Sequence, residues 1–196
     1  MAQDAGDPVD EPKLSAALPA APETYVAMTN QERWHDYLHD NFTGPAALAG
    51  FFASAAIGQL GREPREWGEG AEGYWHRVGH HMGRAAIRGS VEAGLAAALH
   101  YDTRYHRRPG RNGFSRTGHA LRRTLFTQNE TGHTVFDLPG VAGIYAGDML
   151  STYWNPRRYT PFGHGLHGGD FGLGFQAVGN LGREFGPDLK HLLFRK

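Results

Sequence analysis

Residues 71–100 read AEGYWHRVGHHMGRAAIRGSVEAGLAAALH, a run without proline that closes on the good helix formers Leu95, Ala96, Ala97, Ala98 and Leu99. One long helix is expected here. Gly79, Gly83, Gly89 and Gly94 interrupt it, and each costs up to about 1 kcal/mol against alanine in a helix interior. Four such residues imply close backbone contact with a neighbouring element. Glu72, Arg77, Arg84, Arg88 and Glu92 lie along the same helix. Arginines turned inward from it need carboxylate partners, for which Asp102, Asp148, Glu184 and Asp188 are candidates.

Upstream, residues 46–60 read AALAGFFASAAIGQL and carry no charge. Fifteen helical residues span about 22 Å, short of the roughly 30 Å hydrocarbon core of a bilayer. A buried central helix is therefore expected. Gly44-Pro45 separates it from a shorter amphipathic helix, which starts at the capping-box spacing Thr29-Asn30-Gln31-Glu32 and carries Trp34, Tyr37 and Leu38. Downstream, helices are expected over Phe114–Thr127, from Pro139 to Trp154 and over Phe171–Phe185, with a final turn from Pro187 to Phe194. His133–Phe136 reads as one short strand. The fold class expected is all-α: five or six closely packed Gly-rich helices forming one domain over 29–196. Residues 1–28, rich in Ala, Pro, Asp and Glu, read as a disordered acidic tail.

The whole chain has 196 residues, with 20 Lys or Arg balanced by 20 Asp or Glu, and 40% of it is hydrophobic. Such a chain can bury a core, and its neutrality argues against a dedicated nucleic-acid binder. The absence of Cys excludes disulfides, Cys-ligated zinc and thiol catalysis. None of its serines sits in a Gly-x-Ser-x-Gly elbow, and no phosphate-binding glycine loop is present, so no catalytic residue is assigned.

Glycine recurs at four-residue spacing, as in Gly79/Gly83, Gly143/Gly147, Gly165/Gly169, Gly168/Gly172 and Gly182/Gly186. On a helix each pair makes a flat strip that a second backbone can approach, within the chain or between copies. Charge is segregated although its sum is zero. Arg104, Arg107, Arg108, Arg111, Arg116, Arg122 and Arg123 lie close together with aromatic residues between them. That pattern suits an anionic membrane surface. Histidines also pair: His76 with His80, and His164 and His167 with Asp170. Their spacing allows zinc or copper, although no cofactor is required by any motif.

Four segments carry a resemblance. Glu66-Trp67-Gly68-Glu69-Gly70-Ala71-Glu72-Gly73-Tyr74 is followed by Asp102-Thr103-Arg104-Tyr105, then by Gly113-Phe114 with Arg116 and His119-Ala120-Leu121, and last by Arg183-Glu184-Phe185-Gly186-Pro187-Asp188. In this order they resemble a group of uncharacterised exported bacterial proteins, over roughly residues 40–190. Thr103 departs from that group, where Pro is common. The resemblance implies export behind a removed signal peptide, to the periplasm or outer membrane, and a shared fold. It implies no catalytic residue. Ala2-Gln3 after the initiator Met fits a mature N-terminus. The expected function is thus that of a non-enzymatic exported helical protein, self-associating or binding envelope surfaces. A His-based metal protein or metalloenzyme is the alternative.

Overall fold

A computed structural model describes residues 26–108 and 112–193. Most of the expected tail lies outside them. Residues 26–28 belong to the packed body, since Met28 is buried and the Val26 carbonyl accepts from Arg104.

The fold is all-α with a small sheet. Helix α1 (Asn30–Leu38) starts at a full capping box, in which the Thr29 hydroxyl accepts from the Glu32 backbone and the Glu32 carboxylate accepts from the Thr29 backbone. Pro45 opens α2 (Pro45–Leu60). The long helix is α3 (Ala71–Leu99), ended by His100 in the left-handed conformation. A chain reversal then leads through β1 (Tyr101–Asp102) to α4 (Gly113–Arg122), capped by the Asn112 side chain. Strands β2 (Phe126–Asn129) and β3 (Thr134–Phe136) follow, then α5 (Leu138–Ser151) and α6 (Leu166–Leu193). The sheet is antiparallel in the order β1-β2-β3, pairing Tyr101 with Asn129 and Thr127 with Val135.

Helix α3 is the axis of the molecule. It packs against α2 on one side and α5 on the other, and α5 in turn packs against α6. Glycine makes both of the α5 contacts possible. A Cβ at Gly143 would stand 2.7 Å from the Arg88 carbonyl of α3, and one at Gly147 would stand 3.0 Å from the Arg84 carbonyl. On the other side, Gly165 and Gly172 of the α6 segment would place a Cβ 2.7 Å from Met149 Cα and 2.6 Å from the Ile144 side chain. Gly169 meets the Tyr145 ring. Ile144 at this crossing is only 2% exposed.

Four expectations are corrected. Helix α2 is not a buried central helix, because only Phe51 and Ala55 are covered by α3, while Ile57 and Leu60 are 71% and 86% exposed. The segment 114–127 is helical only to Arg122, since Phe126–Asn129 pairs as a strand between β1 and β3. The single short strand expected at 133–136 is therefore the edge of a three-stranded sheet. Helix α6 begins earlier and runs through Pro187 without a break. Pro187 offers no N–H to the Arg183 carbonyl one turn back, and the neighbouring Glu184 carbonyl accepts from Arg107 and Arg116. Among the described residues, no helix is long and apolar enough to cross a membrane.

Candidate functional site

Three of the four segments that carry the resemblance meet at Glu184. Its carboxylate is fully buried and accepts from the Tyr105 hydroxyl at 3.0 Å, from Arg116 Nε at 3.0 Å and from the Arg108 backbone at 3.3 Å. Burial alone would raise its pKa, but the bonds from Arg116, Tyr105 and the Arg108 backbone prevail and hold it below the usual carboxylate value. Arg116 also pairs with Asp188 at 2.6 Å. Asp102, equally buried, binds the Arg104 backbone and guanidinium and lies 3.2 Å from His106 Nε2. The result is an electrostatic clasp that fastens Tyr105, Arg107, Arg108 and Arg116 to α6.

That clasp accounts for much of the arginine cluster. Arg104, Arg107 and Arg116 point to carboxylates or carbonyls of the chain itself. Arg123 donates to the Arg104 carbonyl and to Thr127. The Arg108 and Arg122 side chains are exposed, with Arg122 lying over the Phe126 ring. Arg111 lies outside the described residues.

The helix-packing glycines divide in the same way. Gly143 and Gly147 face α3, and Gly83 faces the Trp154 ring at 3.2 Å. Gly79, Gly182 and Gly186 face open space.

Among the described residues, no three His, Asp or Glu are grouped to hold an ion. His76 lies against Trp67. His80 accepts from Trp154 Nε1 at 3.2 Å, and burial, with His81 and Arg84 nearby, pulls its pKa down to about 3. His164 packs on the Tyr159 ring, while His167 and Asp170 stand 3.9 Å apart on the surface. Asp170 accepts from the Tyr145 hydroxyl at 2.7 Å. A cavity of about 450 Å³ has His80, His164 and His167 in its lining.

The larger cavity, about 570 Å³, lies where α1, α2, α3 and α6 face one another. Helix α3 contributes Arg84, Arg88 and Glu92, four residues apart on a single face, and α6 contributes Gln176, Asn180 and Arg183, four and three residues apart and so also on one face. Arg84 pairs with Asp148 at 2.7 Å and Arg183 with Asp40 at 3.5 Å. Arg88 donates to the Gln176 amide oxygen at 2.6 Å, and its Nε lies 4.0 Å from Glu92. Burial lowers the pKa of Arg88 and Arg123 and raises those of Glu92 and Asp137. All four line this cavity. Arg123 Nε is buried without a hydrogen-bond partner.

The spacing of Arg84, Arg88 and Glu92 was visible in the sequence, but it reads equally as ion pairs fixing helix register. Gln176 and Asn180 give no signal of their own beyond polar residues one turn apart in a Gly- and Phe-rich helix. Comparison of the chain with known protein families, with curated proteins and with solved structures finds no match.

Proposed function

We propose that this protein is a non-enzymatic, exported helical component that works by associating through the uncovered apolar faces of its helices, first of all with copies of itself. The observation that carries this reading is the outer face of α6. Phe171, Phe175 and Val178 follow one another at helical spacing and are 71%, 73% and 64% exposed. Gly174 and Gly182 lie on the same face with open space before them, so a second helix could approach its backbone closely. Helix α2 adds Leu48, Phe52, Ile57 and Leu60 with no charge between them. Folded proteins that act alone rarely leave contiguous apolar faces of this kind open to water. Export rests on the resemblance described above. For anionic surfaces, Arg108 and Arg122 are the exposed cations of the cluster among the described residues.

Sedimentation of the full chain over a range of concentrations tests the association. A dimer or larger closed oligomer is expected. The double variant Phe171→Ser/Phe175→Ser should run as a monomer with unchanged helical circular dichroism. A parent chain that stays monomeric at every concentration overturns the reading.

A further inference from the structure

We propose that the cavity between α3 and α6 binds a small zwitterion of amino-acid size, its carboxylate on Arg88 and its ammonium group toward Glu92 and Asp137. This site is independent of the association described above.

The charges lining the cavity fall into two sets. Arg33, Arg84, Arg104 and Arg183 each have a carboxylate partner, respectively Glu130, Asp148, Asp102 and Asp40. Their charges are spent. Arg88, Arg123, Glu92 and Asp137 form the second set, in which Arg123 donates to the Arg104 carbonyl and Thr127 and keeps its Nε without a partner. Arg88 makes its one close contact with a neutral amide, and its 4.0 Å separation from Glu92 is too long for a hydrogen bond. Asp137 accepts from the Gly140 backbone as the cap of α5, using Oδ1 alone. Both carboxyls and the Arg88 guanidinium therefore have bonding capacity left where they line the cavity, with the Arg88 and Glu92 side chains 31% and 26% exposed.

This arrangement selects among ligands. A plain anion would meet Glu92 and Asp137, and a plain cation would meet Arg88 and Arg123. A divalent metal finds no grouped ligands here. A molecule carrying both signs a few ångströms apart answers both. Arg88 and Glu92, one turn apart on a rigid helix, already hold opposite charges at that separation. Gln176 and Asn180 offer neutral hydrogen-bonding groups alongside. A volume of about 570 Å³ is within the usual range for small-molecule sites.

Calorimetric titration of the full chain with glycine, L-alanine, L-glutamine, L-arginine and glycine betaine tests this, with acetate and methylammonium as half-ligands. At least one zwitterion is expected to bind one to one and raise the melting temperature. Each half-ligand should bind at least ~10-fold more weakly, as should the best zwitterion to Arg88→Gln or Glu92→Gln. The half-ligand comparison uses the unaltered protein, so it stands even if a variant fails to fold. Binding of no zwitterion overturns the proposal. So does acetate binding as tightly as the zwitterions, which would make this a simple anion site, or undiminished binding by both folded variants.

Discussion

Arg77 is 1% exposed, yet its donors go to four carbonyls, those of Glu63, Pro64, Gly68 and Gly73, and to the Gln59 amide oxygen. The expectation that an inward arginine takes a carboxylate holds at Arg84 with Asp148. It fails at Arg77, because the bend between α2 and α3 turns its carbonyls toward one point. No spacing in the sequence announces that convergence. His80 and His81 next to it on α3 give a pH dependence. Burial holds their pKa values down to about 3 and about 4, against about 6.5 in the unfolded chain. Between pH 6.5 and 4 the unfolded state takes up protons that the folded state refuses, so stability falls as pH falls. Each histidine adds a slope of at most about 1.4 kcal/mol per pH unit. The raised carboxyls of Glu92, Asp137 and Asp148 act in the opposite sense above their unfolded pKa values, so the comparison is between variants. Urea unfolding at pH 7 and pH 5 should show the His80→Asn/His81→Asn double variant losing less stability on acidification than the parent. Equal losses would refute the assignment.

At the scale of elements, glycine sorts into two kinds that composition alone cannot separate. Gly143 and Gly147 face the α3 backbone, so Gly143→Ala should destabilise the fold by about 1–3 kcal/mol through overpacking. Gly79, Gly94 and Gly118 sit in helices with nothing within 4 Å of a Cβ. Alanine at any of these should stabilise by up to about 1 kcal/mol. Thermal melts of the single variants check both signs, and a Gly143→Ala chain as stable as its parent would remove glycine from the account of the α3–α5 crossing. The long helix and the capped start of α1 were legible in the sequence because both depend on local spacing. The exposure of α2 was not. A charge-free helix is compatible with a core, a membrane or a partner, and only the number of neighbours around it decides. The sheet was half legible: β1 has only two residues, and the start of β2 follows α4 so closely that it reads as a continuation of that helix.

At the scale of the molecule, the candidate site was legible only on its α3 side. Its other wall comes from α6, roughly ninety residues away in sequence, and no local pattern links the two. The same distance explains why Glu184 was seen as a motif member and as a candidate partner for arginines of α3, and not as the residue on which three motifs converge. The apolar faces fit this layout. Helix α3 is covered by α2 and α5, and α6 by α4 and α5; nothing among the described residues covers the apolar faces that remain, and association is the expected outlet.

The clasp at Glu184 divides α6 into a held part and an expendable part. Past it, Leu189, Leu192 and Leu193 are all more than half exposed. The end of the helix is thus a handle rather than a support, and a protease should read the difference. Within α6, trypsin is expected to cut after Lys190 and to spare Arg183, leaving a trimmed body that still melts cooperatively. In Glu184→Gln, with the arginine and tyrosine bonds weakened, cleavage after Arg183 should appear on the same timescale as cleavage after Lys190. Early cleavage after Arg183 in the parent chain would mean that the fastening lies elsewhere.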